Sequence, residues 1–358
     1  MTNTLERTRA LWRQKGEDLD AILVFSPANR RYLCGFAGST GYCVIREGRF
    51  CFLVDSRYTL QAGQQCPGWE LVAIRGEEDV FDWLRDQGIT ALGIEADFVT
   101  LRFAALLQSR AGITRTQDVS APLETMRMRK DAAELDAIAE ACRLTDLAFE
   151  AFCAQVRPGM TEAAIDALLQ GFFRQYPQVD RTAERFIVAS GPRGALPHGI
   201  AGSRPVEKGD FITIDFGCCC YGYWSDVTRT VCLGKASPWQ KEIYDVTLEA
   251  QNQAIAAVRP GLTGRQIDRI ARDIIGKAGY GDYFGHGLGH SFGLEIHENP
   301  RLAPNAMGDI PLEEGMILTV EPGIYLPDRG GVRIEDNLVV TADGCRNFTG
   351  APKSLLEL

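Results

Sequence analysis

The chain has 358 residues, 45% of them hydrophobic and 24% charged, with a formal net charge of −9. This is an ordinary globular composition, with length enough for roughly two or three domains. The acidic balance argues against a nucleic-acid surface, and no apolar run approaches the ~20 residues a membrane helix needs. The start, Met1-Thr-Asn-Thr-Leu-Glu-Arg-Thr-Arg9, lacks a signal-peptide layout, so a cytoplasmic protein is expected. There are eleven cysteines without a C-x-x-C spacing, which reads as reduced thiols rather than a disulfide framework. No cysteine is given a catalytic role, the Cys218-Cys219-Cys220 run included.

Residues 1–122 read as a smaller α/β domain. The pattern predicts a helix over 5–15, strands over 20–25, 41–45 and 50–55, a helix over 58–65, a strand over 70–74, a helix over 80–87 and a strand over 91–95. The Gly-rich stretch 29–41 does not match a phosphate-binding fingerprint and reads as a loop. Pro122 and the basic Arg127-Met-Arg-Lys130 mark a domain boundary, which opens a second domain over 123–358. A long helix follows over 132–156.

An internal repeat sets the architecture of that second domain. Val156-Arg-Pro-Gly-Met-Thr-Glu-Ala-Ala-Ile-Asp166 recurs as Val258-Arg-Pro-Gly-Leu-Thr-Gly-Arg-Gln-Ile-Asp268. Each copy follows a long helix and opens another, with Thr161 or Thr263 as the expected N-cap. Further on, Val206–Gly217 aligns with Leu312–Gly323, so Asp215 maps onto Glu321. The expectation is two related halves, each of two helices and a strand hairpin, facing one another across an internal pseudo-two-fold.

The hairpins carry the chemistry. Residues 211–231 read as two strands about a turn at Tyr221-Gly222, which is expected to set Asp215 and Asp226 opposite one another. Residues 316–325 and 331–340 form the second hairpin, with Glu321 and Glu335 on its strands. The two-fold then gathers four carboxylates about one point, where they repel unless a proton or cation lies between them. Alternation puts Arg333 on the face of Glu335. All four histidines, His198, His286, His290 and His297, fall in the second domain, three of them in Gly285–Glu298. The spacing is not H-E-x-x-H. Four carboxylates and one or two histidines make an oxygen-rich site suited first to Mn²⁺, and also to Co²⁺, Fe²⁺ or Zn²⁺. Two ions sharing carboxylates lie ~3.5–4 Å apart and activate water for hydrolysis.

Ile214-Asp-Phe-Gly217, Ser225-Asp-Val-Thr-Arg229, His286-Gly-Leu-Gly-His290, Gly293-Leu-Glu-Ile-His-Glu298, Val320-Glu-Pro-Gly323 and Arg333-Ile-Glu-Asp336 together resemble the pita-bread metallopeptidases of family M24, in the prolidase and aminopeptidase P branch. Asn29-Arg-Arg-Tyr32, Gly38-Ser-Thr-Gly41 and Val54-Asp-Ser-Arg-Tyr58 resemble that branch's creatinase-like N-terminal domain. The resemblance implies an α+β fold: a pita-bread catalytic domain preceded by a smaller, ribonuclease H-like α/β domain. It implies two divalent metal ions held by Asp215, Asp226, His290, Glu321 and Glu335, with Asp226 and Glu335 bridging. Glu321 handles the proton of the attacking water. His297 faces the scissile carbonyl oxygen and His198 the scissile nitrogen, while His286 and Arg333 bind the far end of the substrate.

The implied substrates are short peptides with proline at the second position, cleaved at the Xaa-Pro bond by an aminopeptidase or a dipeptidase. A homodimer is also implied, with no membrane or nucleic-acid partner. Phe292, where the family signature has a smaller aliphatic residue, is expected to border the site. Two alternatives are a creatinase-type amidinohydrolase, which works without metal and predicts eroded ligands, and a non-catalytic peptide-binding module on the same fold.

Overall fold

The computed structural model describes residues 4–358, so part of the N-terminal stretch expected to be leader-free lies outside the described residues. Two compact units emerge, divided between Arg127 and Met128.

The first unit is built on a six-stranded mixed sheet. Its central strand, Ala21–Val24, is antiparallel to Tyr42–Arg46 and parallel to Ala91–Ile94. All four of its residues are wholly buried, which explains an unbroken apolar run instead of an alternating one. Residues 101–118, unassigned from sequence, supply the helix Leu101–Ser109 and the edge strand Arg115–Asp118. The polar edge strand carries no periodic signal.

The 29–41 loop expectation needs correction. Pro27–Cys34 is a helix, with Ser26 accepting the Asn29 N–H as N-cap, Pro27 in the first turn and Gly35 closing it at φ 82°. The three glycines of the run 35–41 masked these start and stop signals. The boundary expected after residue 122 also moves. Pro122 lies in the first turn of the helix Ser120–Met128, where a missing N–H breaks nothing, so the chain runs on to Arg127 before the units part.

The second unit contains the two halves. The long helix Ala132–Gln155 starts at a capping box formed by Asp131 and Glu134. Thr161 accepts from the Ala164 N–H to open Glu162–Phe173, and Thr263 accepts from the Gln266 N–H to open Gly264–Lys277. Both copies of Arg-Pro-Gly turn through a left-handed glycine, Gly159 at φ 88° and Gly261 at φ 86°, a conformation that side-chain-bearing residues avoid. Each half has its own core. Leu144, Phe149, Phe152 and Ile165 pack against Ile212 and Ile214. Ile243, Ala250, Ala254 and Ile267 pack against Leu318, Val320 and Val332.

Each core backs one antiparallel ribbon, joined at its edges by further strands, and each ribbon is broken once. The first runs out through Phe211–Phe216 and Cys218–Cys220 and returns through Tyr223–Trp224 and Val227–Cys232. The second runs out through Ile317–Val320 and Gly323–Leu326 and returns through Gly330–Arg333 and Asp336–Val340.

Candidate active site

The acidic residues lie at or beside those breaks. In the first ribbon Tyr221 and Gly222 both take positive φ, 51° and 87°, the two-residue turn that suits a twisted hairpin. The turn sets a register pairing Asp215 with Thr228, which corrects the expectation that Asp215 and Asp226 oppose one another. Asp226 instead falls across from Gly217, next to the Ser225 N–H that donates to the Cys218 carbonyl at 2.9 Å. In the second ribbon the pairs Val320–Asp336 and Gly323–Arg333 leave Glu321 facing Glu335 inside the break. The ribbons also touch one another: the Glu335 N–H donates to the Thr228 carbonyl at 3.0 Å, and the Thr228 hydroxyl donates to Glu335 Oε2 at 2.6 Å.

Every site residue singled out from sequence lines one cavity of about 330 Å³: His198, Asp215, Asp226, His286, His290, His297, Glu321, Arg333 and Glu335. A second cavity of about 360 Å³ shares His198, Asp215, Asp226 and His297 and is walled by Phe186, Phe216, Trp224 and Ile296. The carboxylate cluster thus sits where two chambers meet. Phe292 is wholly buried and lines neither chamber. Ring burial in the core corrects the expectation that it borders the site.

Burial, then repulsion from Asp215 and Glu321, pushes the Asp226 carboxyl well above the carboxylate range. Burial, then Asp226, Glu321 and Asp215, does the same to Glu335. Burial lifts Glu321 to about 7, against the pull of Arg333. His290 goes the other way, to about 3, through burial and then His297. Its Nδ1 lies 3.1 Å from the Ser291 carbonyl, so that nitrogen carries the proton and Nε2 presents a lone pair. Nε2 sits 3.4 Å from Glu321 Oε1 and 3.6 Å from Asp226 Oδ2. With the imidazole neutral, these approaches are not ion pairs, and a proton kept on a carboxyl or a bound cation is needed to make them favourable.

Such an arrangement is unfavourable with all its carboxyls ionised unless a cation occupies the centre. Asp226, His290 and Glu335 each offer a ligand atom within 4.8 Å of the others. The donor set therefore fits a hard divalent metal.

Arg333 is buried and fully engaged. It gives Nη2 to Asp215 Oδ2 at 2.8 Å, Nη1 to Tyr325 Oη at 2.9 Å and to the Pro197 carbonyl at 3.1 Å, and Nε to Thr228 Oγ1 at 3.0 Å. The Tyr325 hydroxyl also meets His286 Nε2 at 2.9 Å. Asp215, Arg333, Tyr325 and His286 form one relay along the cavity wall. His297 stacks edge-on against His290, with ring centroids 4.5 Å apart. Tyr325 went unnoticed in the sequence, although alternation from Glu321 through Gly323 puts it on the same face. Arg301, also on the cavity wall, follows a cis Asn299-Pro300 bond and an irregular register, so no periodic signal pointed to it.

Comparison with known proteins shows the family and the fold. Residues 136–342 match Metallopeptidase family M24 and residues 5–129 match the Creatinase/Prolidase N-terminal domain. The chain is 34% identical to the Xaa-Pro dipeptidase of Pyrococcus horikoshii over 94% of this chain and 95% of that one. The solved Xaa-Pro dipeptidase from Bacillus anthracis superposes with a TM-score of 0.94 at 40% identity, covering 99% of this chain and 100% of that one. An X-Pro aminopeptidase from Thermotoga maritima superposes with a TM-score of 0.90 at 37% identity, covering 98% and 100%. Its second unit has the pita-bread fold, and the chain belongs to metallopeptidase family M24, with a creatinase/prolidase-type N-terminal domain ahead of the peptidase domain.

Proposed function

We propose that this protein is a metal-dependent peptidase that hydrolyses the Xaa-Pro bond of short peptides. One observation carries the reading: His290 Nε2 and the carboxyls of Asp226, Glu321 and Glu335 converge on one buried point. The relatives described as Xaa-Pro dipeptidases and X-Pro aminopeptidase supply the bond specificity.

Asp215, Asp226, His290, Glu321 and Glu335 are the residues that would hold two divalent ions. Bound cations supply neutralising charge and Lewis acidity toward water and the peptide carbonyl. Glu321 takes the proton from water as its oxygen adds to the carbonyl carbon. His297 donates a hydrogen bond to the carbonyl oxygen as negative charge develops there. When the C–N bond breaks, the proton passes to the proline nitrogen, with His198 beside it. His286 and Arg333 hold the far end of the substrate, Arg333 acting through its bond to Tyr325. A tertiary amide has no N–H to pair with a protease strand, and this site demands none.

Mn²⁺ is the proposed ion. Among the described residues no cysteine is in a disulfide, which suits a reducing compartment such as the cytoplasm, and a homodimer is proposed from the family likeness. The creatinase-type alternative predicts missing ligands, and all five positions are filled. The same filled set stands against a purely binding role.

The test is a chelated enzyme reloaded with Mn²⁺ and offered Ala-Pro, Ala-Pro-Ala and Ala-Ala. Hydrolysis restricted to the proline peptides and abolished by chelation is expected. Equal cleavage of Ala-Ala, or turnover that survives complete metal removal, sinks the reading. Cleavage of Ala-Pro alone identifies a dipeptidase. Light scattering on the same sample tests the dimer.

A further inference from the structure

The second ribbon keeps a single register along its length, yet its ladder is interrupted where Glu321-Pro322 faces Ile334-Glu335. The break frees both carboxylates from the strand surface. It also leaves the Ile334 carbonyl short of a ladder donor, since Pro322 across from it has no N–H to give. Buried carbonyls need another donor.

One side chain meets this carbonyl and a second one at the edge of the break. Gln251, wholly buried on the helix Pro238–Ala257, gives its Nε2 to the Val320 carbonyl and to the Ile334 carbonyl, each at 3.2 Å. Each of those carbonyls belongs to the peptide bond leading directly into Glu321 or Glu335. Both neighbours are acceptors, so the amide is oriented with its nitrogen toward the break. Its Oε1 is buried without a hydrogen-bond partner. A residue placed there only to fill the core would be apolar.

The first ribbon has a counterpart. At its break, Ser225 Oγ accepts from the Cys218 N–H at 3.1 Å and is held at 2.8 Å by Thr145 Oγ1 from the helix Ala132–Gln155. Ser225 directly precedes Asp226. In each half, the helix behind the ribbon sends one polar group to the break that bears a ligand.

We propose that Gln251 is a positioning residue for the metal centre, bracing the two backbone segments that carry Glu321 and Glu335 so that both side chains reach one site. This rests on the ligand set proposed above. The test uses the full-length protein, stripped with chelator, as Gln251→Met and as Thr247→Val. Thr247 is a burial control: it lies one turn earlier on the same helix, is wholly buried, and bonds back to the Ile243 carbonyl of its own helix. Co²⁺ absorption spectra, Mn²⁺ titration calorimetry, thermal melting and kcat against KM are measured on each.

Gln251→Met is expected to weaken metal binding about 10–100-fold, to alter the Co²⁺ band, and to lower kcat at saturating metal with KM within about twofold of wild type. Thr247→Val keeps wild-type metal affinity whatever its melting temperature. A folded Gln251→Met with the wild-type Co²⁺ spectrum and metal affinity overturns the proposal, as does a metal defect matched by Thr247→Val. If the methionine variant does not fold, Gln251→Asn, too short to reach both carbonyls, is read by the same criteria. In the wild type, the Gln251 side-chain amide protons should exchange more slowly once Zn²⁺ is bound; unchanged exchange also overturns the proposal. A wild-type protein that binds metal but cleaves no Xaa-Pro bond defeats the proposed activity and leaves the bracing role intact. One that binds no metal defeats the ligand set itself.

Discussion

At the residue scale, two buried clusters of charge differ in whether the charges offset one another. Around Glu335 the neighbours are carboxylates, and repulsion adds to burial in raising its pKa. Glutamine in its place keeps the acceptor for the Thr228 hydroxyl and removes a charge. The chelated Glu335→Gln protein should therefore be more stable than chelated wild type at pH 7, by about 1–3 kcal/mol, while losing activity and the rise in melting temperature that Mn²⁺ gives. A lower melting temperature for the chelated variant would mean the charges do not repel. Lys130 is the opposite case. It is the one buried lysine among the described residues, and it gives Nζ to Glu298 Oε2 at 3.1 Å and to Ser291 Oγ at 3.2 Å. Ser291 follows His290 and Glu298 follows His297, so the ammonium ties both ends of the segment joining the two histidines. Lys130→Met leaves a buried carboxylate without its cation and should cost about 3–5 kcal/mol. Adding Glu298→Gln should recover much of that loss in urea melts. A double variant no more stable than the single one would show that the pair is not the source.

At the element scale, the two ribbons depend on glycine where a backbone passes the ligand-bearing strand. A Cβ on Gly217 would lie 2.1 Å from the Ser225 carbonyl oxygen, and one on Gly289 would lie 2.1 Å from the Thr319 carbonyl oxygen. Neither neighbour is a flexible side chain. Gly217→Ala must spread the first ribbon beside Asp226. The expectation is a loss of about 1–3 kcal/mol from overpacking and a roughly 10²-fold fall in kcat/KM from misplaced groups. An alanine variant with wild-type kinetics would show that the ribbon yields without moving Asp226. These ribbons were largely legible beforehand. The repeat aligned Asp215 with Glu321, and alternation brought Arg333 to the face of Glu335. What failed was register: the turn lies at Tyr221-Gly222 as expected, but a two-residue turn there puts Thr228 across from Asp215 and leaves Asp226 two residues away, across from Gly217. Gln251 and Lys130 were illegible for another reason. Each acts through carbonyls, hydroxyls or carboxylates far away in sequence, and an isolated glutamine or lysine has no periodicity to betray such a contact. The helix at Pro27 was missed although its cap, proline and terminal glycine were all present, because the glycines close behind it weighed more heavily.

At the scale of the whole molecule, the metal-binding chemistry and the acid sensitivity of the first unit belong to different parts of the chain. All the proposed ligands lie after residue 128, whereas Asp20 lies in the first unit. Asp20 Oδ2 accepts from the N–H groups of Ala91 and Thr90 at 2.9 and 2.8 Å and from the Thr90 hydroxyl at 3.0 Å. These bonds, that of Ala91 first, hold its pKa below the ordinary 3.8. A lowered folded-state pKa means that the ionised form favours folding. The stabilisation is complete above the unfolded value and disappears as pH falls through the folded one. Asp20→Asn keeps an acceptor and removes the charge. It should cost about 1 kcal/mol at pH 7, the difference between charged and neutral acceptors after solvent screening, and nothing once the pH is below the folded pKa. Mn²⁺ acts by mass action on the other unit, adding about 2.7 kcal/mol at a hundredfold excess over Kd. Since the two changes share no partner, they should add to within about 0.5 kcal/mol. Wild type and Asp20→Asn, each melted with chelator and with Mn²⁺ at pH 7, make the cycle. A metal increment that shrinks or grows in the variant beyond that margin would show that the N-terminal unit takes part in the energetics of the metal centre, and the peptidase unit could then no longer be treated as stabilised by its cations alone.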